Sequence, residues 1–115
     1  VCVCDVGEQI VNLSGAEAQV QGAVTDGLSA AWFQQADFKD GKPLAENFDR
    51  YRLLRMAEAP AAIEVRFLRS DNPTSGLGET ALPPVAPAVC NAIFAATGHR
   101  IRRLPIALTD LHWTA

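Results

Sequence analysis

The chain has 115 residues, 49% of them hydrophobic and 20% charged, with 13 acids against 10 bases and a formal net charge of -3. That size and apolar content suit one globular domain and exclude a collagen-like, low-complexity or intrinsically disordered chain. The acidic balance argues against a nucleic-acid partner, and so short a chain has little material to wall in a large organic cofactor, whose pocket takes roughly 300–1,000 Å³.

In chain order, Val1-Cys2-Val3-Cys4-Asp5-Val6 is β-branched and apolar, which predicts a strand buried on both faces and ended by Gly7. Cys2 and Cys4 would stand ~6.6 Å apart on one face of it, an awkward span for a disulfide, so buried free thiols are expected. The start has no Met, no charged n-region and no small-residue cleavage site; it reads as a piece of something longer and assigns neither cytoplasm nor periplasm. Without an 18-residue apolar run, no transmembrane helix is expected.

Ser14-Gly15-Ala16-Glu17 matches a capping box and predicts a helix over Ser14–Gln35. Its apolar stripe runs Ala16, Val20, Ala23, Val24, Gly27, Leu28, Ala31 and Trp32, and the small residues Gly22 and Gly27 suggest close approach of another backbone. Ala36–Leu44 reads as a β-hairpin turning at Asp40-Gly41, a pair suited to a type I′ turn. Asn47–Met56 has no clean period and is read as an ordered connection. Ile63–Leu68 alternates apolar and charged residues, the pattern of a half-solvated strand, and a loop from Ser70 to Pro84 follows.

Pro84–Thr97 predicts a second helix, with its prolines in the first turn and Gly98 as its C′ residue. The helix is apolar nearly all round, so it should be buried, with Asn91 as a buried hydrogen-bonding tie. His99 and Arg100 sit where cations favour the helix end, and the tail from Ile101 suggests a short strand. The arginine groups Arg50/Arg52/Arg55 and Arg100/Arg102/Arg103 read as solvated or carboxylate-paired faces.

Cys2-x-Cys4 has no second pair, and His99 and His112 lie far in sequence from any carboxylate cluster, so no metal site made wholly by this chain is expected. No serine stands on a nucleophile elbow, and Gly76-Leu77-Gly78-Glu79 lacks the third glycine of a dinucleotide fingerprint. Its two glycines permit close backbone approach, and they place Glu79 just before an apolar helix. In dry surroundings such a carboxyl becomes a better general base, although on spacing alone a solvent-facing loop acid is the commoner case. Gln19, about 40° from Ala23 on the helical wheel, is the second candidate: its amide can donate and accept toward a ligand, or merely bond water.

Gly76–Glu79, Pro83-Pro84-Val85-Ala86-Pro87-Ala88, Asn91–Gly98 and Arg100-Ile101-Arg102-Arg103-Leu104-Pro105, taken together, resemble the C-terminal signature of the molybdenum hydroxylases, the xanthine oxidase and aldehyde oxidase family. The nearer resemblance is to the molybdopterin-binding beta subunit of the isoquinoline 1-oxidoreductase type, through Gln19-Val20-Gln21-Gly22 and Asn47–Met56 as well. It covers essentially the whole chain, residues 1–115, as the C-terminal segment of such a molybdopterin-binding domain. The resemblance implies that Glu79 is the active-site base, taking a proton from a molybdenum-bound hydroxyl, and that Gln19 hydrogen-bonds near the molybdenum and its pterin.

The expected fold is α+β, with a mixed sheet from Val1–Val6, Ala36–Leu44 and Ile63–Leu68 packed against the two helices. The expected function is a share in oxidative hydroxylation of an aldehyde or N-heterocycle with water-derived oxygen. The resemblance implies molybdopterin, in its cytosine dinucleotide form, for the intact enzyme, the remainder of the molybdenum subunit and a small iron–sulfur subunit as partners, and no cofactor or activity for the isolated chain. The competing expectation is a non-catalytic structural or interaction module, in which the apolar second helix and exposed sheet edges favour self-association.

Overall fold

A computed structural model of the chain describes residues 1–111; His112 lies outside the described residues. Helix α1 spans Leu13–Trp32 and helix α2 spans Val85–Thr97. Between them lies one hairpin, β1 (Phe38–Lys39) with β2 (Lys42–Pro43), and 3₁₀ turns form at Met56–Glu58 and Ile106–Leu108.

The start of α1 corrects the expected capping box. Asn12 is the N-cap: its side-chain oxygen accepts from the Gly15 amide at 2.9 Å and from the Ser14 hydroxyl at 3.1 Å. With its proton engaged by Asn12, Ser14 sits inside the first turn, and an asparagine oxygen satisfies the free amide. At the other end the helix stops short of Gln35, because the Phe33 and Gln34 amides both bond to the Ser29 carbonyl, at 3.0 and 3.3 Å. Helix α2 starts within a residue of the expected place and closes on Gly98 at φ 71°.

The stripe on α1 buries Ala16, Ala23, Gly27 and Ala31. At Gly27 the expected close approach is present: a Cβ there would lie 2.9 Å from both the Leu82 carbonyl oxygen and the Val85 Cβ. A Cβ on Gly22 would meet nothing within 4 Å, so that glycine makes no such approach. Ile106, Ile101 and Ala31 form the core, with Trp32, Val89 and Ile93 packed on it.

The opposite face of α1 is also covered. Ser29 is buried there, and its hydroxyl oxygen accepts the Leu54 amide at 3.0 Å and the Gln34 side-chain amide at 2.9 Å. Helix α1 therefore lies between α2 with the tail on one side and the connection around Leu53 and Leu54 on the other.

The α+β class stands, but the sheet is smaller than expected. The hairpin forms with Phe38 opposite Pro43 and Lys39 opposite Lys42, and its turn has φ 51° at Asp40 and 75° at Gly41, the positive pair of a type I′ turn. Val1–Val6 and Ile63–Leu68 are not strands among the described residues. Burial along 63–68 does alternate as the sequence predicts, with Ile63, Val65 and Phe67 half-buried and Glu64, Arg66 and Leu68 exposed. A ladder needs a neighbouring backbone, and no described segment supplies one.

Four further expectations fail, because the described residues leave these groups uncovered or through local bonding. Cys2 and Cys4 are free but exposed. Helix α2 is covered on one side only, leaving Ala92, Phe94, Ala95 and Ala96 exposed. Asn91 is exposed, not buried: its oxygen accepts from Arg100 at 3.2 Å, while the Arg100 guanidinium stacks 3.5 Å from the Phe94 ring centre. Among the described residues the tail forms no strand: a 3₁₀ turn at Ile106–Leu108 follows Pro105 and sends Ile106 into the core.

Candidate functional site

Gly76–Glu79 lies in a loop whose position is set from the other end of the chain. The Glu8 amide donates to the Asn72 carbonyl at 3.0 Å, the Ser75 amide to the Val6 carbonyl at 3.1 Å, and the Gln9 amide to the Thr74 hydroxyl at 3.2 Å. The Asp5 carboxylate takes the Gly7 amide with one oxygen, at 2.9 Å, and the Asn72 side-chain amide with the other. Gly7 is buried at φ 84°, and a Cβ there would lie 2.3 Å from the Pro73 carbonyl oxygen. Only glycine combines that backbone angle with that contact. In the sequence Gly7 reads only as the end of a strand, and nothing in the local pattern signals the brace formed by Asp5, Gly7, Asn72 and Thr74.

Beyond the brace, the chain turns at Gly78–Ala81 directly into α2. The Leu82 amide donates to the Glu79 carbonyl at 3.0 Å, the Thr80 hydroxyl donates to the Leu77 carbonyl at 3.3 Å, and Ala81 is buried. The backbone carrying Glu79 is thus held on both sides. The turn brings Gly78, next to Glu79 in sequence, close to Gln19: a Cβ on Gly78 would lie 3.4 Å from Gln19 Oε1. Gly78 has negative φ, so its service here is room beside Gln19 and not a left-handed turn.

Gln19 and Glu79 are both exposed, and neither side chain hydrogen-bonds to another described residue. The water-poor surroundings expected of Glu79 are not built by the described residues. Two cavities lie elsewhere on α1, an open groove of about 530 Å³ between Gly22, Thr25 and Leu54 and a smaller one of about 360 Å³ between Trp32, Leu54 and Pro60. Neither is lined by Gln19 or Glu79. No group of three or more potential metal ligands occurs among the described residues. The expected carboxylate pairing of arginines holds in the first group, where Arg52 binds Glu58 and Arg50 lies 4.0 Å from Asp49.

Near this turn the described residues present two exposed polar side chains, Gln19 and Glu79, and open space beside Gly76. Residues 1–60 match the family model described as the molybdopterin cofactor-binding domain, and the chain belongs to that family. It is 38% identical over 102 residues to a membrane-bound aldehyde dehydrogenase (pyrroloquinoline-quinone) of Gluconacetobacter polyoxogenes, covering 89% of this chain and 13% of that protein. It is 33% identical over 105 residues to the isoquinoline 1-oxidoreductase subunit beta of Brevundimonas diminuta, covering 91% and 13% respectively. It is 36% identical over 119 residues to the aldehyde oxidoreductase molybdenum-binding subunit of Escherichia coli K12, covering 96% and 16%. The chain therefore spans about an eighth of the length of the first two relatives. In fold it resembles the Cu,Mo-CO dehydrogenase in its carbon monoxide reduced state, with a TM-score of 0.67 at 24% identity over 79% of this chain and 12% of that one.

The Gln19 amide, which can donate and accept, and the open backbone beside Gly76 suit the edge of a polar, planar ligand such as a pterin.

Proposed function

We propose that this chain is the C-terminal segment of the molybdopterin-binding domain of a molybdenum hydroxylase acting on an aldehyde or N-heterocycle, with Glu79 as base and Gln19 as a cofactor contact. The observation that carries the reading is the convergence of Gln19 on Gly78, beside Glu79, in a chain of the molybdopterin cofactor-binding domain family. The molybdenum cofactor, when bound, supplies two-electron redox chemistry and a water-derived oxygen. Glu79 would serve as general base there, accepting a proton at its carboxylate. Gln19 presents its amide to the pterin side of the cofactor. The rest of the molybdenum subunit supplies the facing wall that excludes water, the residues for a cytosine dinucleotide tail and the substrate pocket; a small iron–sulfur subunit carries the electrons away.

The exposure of Glu79 favours the second reading, a non-catalytic module that keeps the fold without the chemistry. One experiment separates the two. The chain is co-expressed with a candidate remainder of the molybdenum subunit and a small iron–sulfur subunit, and molybdenum content and aldehyde-dependent dye reduction are measured. The enzyme reading expects stoichiometric molybdenum, and Glu79→Gln is expected to lower turnover ~10²–10⁴-fold with the metal retained. Gln19→Ala is expected to lower molybdenum content. Undiminished rates in Glu79→Gln refute the base, and an assembled complex without molybdenum supports the module. The isolated 115-residue chain is expected to carry no molybdenum.

A further inference from the structure

Residues 2–9 run as a strap along the loop that carries Glu79, opposite to it in direction and bonded to it near both ends. At the α2 end the Cys2 thiol donates to the Pro84 carbonyl at 3.6 Å, and at the far end Val6, Glu8 and Gln9 hold Ser75, Asn72 and Thr74. Among the described residues Asp5 is the one charged side chain that joins strap to loop. One of its oxygens takes the Gly7 amide at 2.9 Å and so holds the turn at φ 84° that seats Gly7 against the Pro73 backbone. The other takes the Asn72 side-chain amide. Neither oxygen pairs with a cation among the described residues, so the carboxylate serves here as a double acceptor.

The span from Ser75 to Glu79 is short and pinned at each end, by the Val6 carbonyl upstream and by the Glu79–Leu82 and Leu77–Thr80 bonds downstream. Gly76, with open space beside it, is the soft point between the two pins. If the upstream pin is lost, the free length of loop grows and holding Glu79 in one place costs more entropy. Placement matters for a general base, since a displacement of about 1 Å can cost up to ~10²-fold in rate. Because Asp5 only accepts, Asn72 must present its amide nitrogen, and the pair can be exchanged. With Asp5→Asn and Asn72→Asp together, the amide at position 5 still accepts from Gly7 with its oxygen and donates from its nitrogen to the carboxylate at position 72.

We infer that Asp5 is a positioning residue for Glu79: by binding Gly7 and Asn72 at once, it fixes where the loop presents that carboxylate. The inference rests on the reading of Glu79 as base, and its test keeps the two apart. On the full 115-residue chain, residue-resolved hydrogen exchange follows the Glu8 and Ser75 amides, with the Gly98 amide at the end of α2 as reference. Asn72→Asp sets two carboxylates face to face and is expected to speed exchange at Glu8 and Ser75 roughly ten-fold, with Gly98 unchanged. Adding Asp5→Asn restores a carboxylate–amide bond and is expected to bring both amides back to within about three-fold of wild type. In the co-expressed complex, Asn72→Asp is expected to lower kcat per bound molybdenum ~10–10²-fold with KM unchanged, and the double swap to restore it. A merely structural role would lower molybdenum content and leave kcat per molybdenum as it was. Exchange indifferent to Asn72→Asp, a double swap without recovery, or kcat per molybdenum untouched by Asn72→Asp while Glu79→Gln lowers it overturns the inference. If Glu79→Gln keeps full turnover, or the complex holds no molybdenum, the base reading falls and the exchange cycle alone decides whether Asp5 fixes the loop.

Discussion

Gly22 and Gly27 sit on the same helix five residues apart, and the same substitution at the two positions is expected to change stability in opposite directions. At Gly22 a Cβ enters open space, so Gly22→Ala gains the helix preference of alanine, about 0.8–1 kcal/mol. At Gly27 the same gain is opposed by contacts of 2.9 Å to the Leu82 carbonyl and the Val85 Cβ. The carbonyl is backbone and cannot rotate aside, and carbon contacts are optimal near 3.5–4.0 Å, so α2 must move off by more than half an ångström. Overpacking of this sort typically costs ~1–3 kcal/mol. Taking the upper half of that range, because one neighbour is main chain, leaves a net destabilisation of about 1–2 kcal/mol for Gly27→Ala. The assay is urea or thermal unfolding of the 115-residue chain followed at 222 nm. For a domain near 100 residues, 1 kcal/mol moves Tm by ~4–8 °C, so the two variants are expected to fall on opposite sides of wild type, well separated. Equal stabilisation by both variants would refute the close approach of α1 and α2.

Ser29→Ala removes the buried acceptor of the Leu54 and Gln34 amides, and the stranded Leu54 N–H is expected to cost about 1–3 kcal/mol, read by the same unfolding curves. Asn12→Ala is expected to lose ~1 kcal/mol as the cap of α1, while Ser14→Ala loses less, which distinguishes the observed cap from the capping box expected at Ser14. Gly7→Ala forces a side chain into the Pro73 backbone at positive φ; faster deuterium uptake at Asn72–Ser75 is expected, with slower uptake in α2 preserved.

What the sequence made legible was governed by local rules. The α1 stripe, the type I′ turn at Asp40-Gly41 and the C′ glycine at Gly98 each follow from a few adjacent residues, and each is present. The cap of α1 was misplaced by two residues because Asn12 and Ser14 both satisfy the local rule, and their mutual hydrogen bond decides between them. The missing sheet is a different kind of miss. Ile63–Leu68 has the period of a strand and the burial of one, yet pairing depends on a second backbone that periodicity cannot specify. The exposure of Glu79 and of one side of α2 has the same origin: an apolar or functional pattern states what a residue is suited to meet, not whether the described residues supply it. The link between Asp5, Gly7 and the loop at Asn72–Ser75 was not legible at all, since it joins positions more than 60 apart through backbone bonds and an Asp5–Asn72 side-chain bond that no local pattern signals.

The crossing of α1 over α2 and the candidate site are one geometric fact. Leu82, whose carbonyl abuts Gly27, also donates its amide to Glu79, and Gln19 lies on the α1 segment that meets the turn before α2. The depth to which α2 settles against Gly27 therefore sets how near Gly78 comes to Gln19. A wedge at Gly27 pushes the N-terminal end of α2 outward and carries the turn with it, opening the 3.4 Å approach measured from a Cβ built on Gly78. Gly27 thus bears on the approach of Gly78 to Gln19. Its substitution in an assembled enzyme is expected to lower molybdenum content in the manner of Gln19→Ala, whereas Gly22→Ala, on the open side of the same helix, leaves it unchanged.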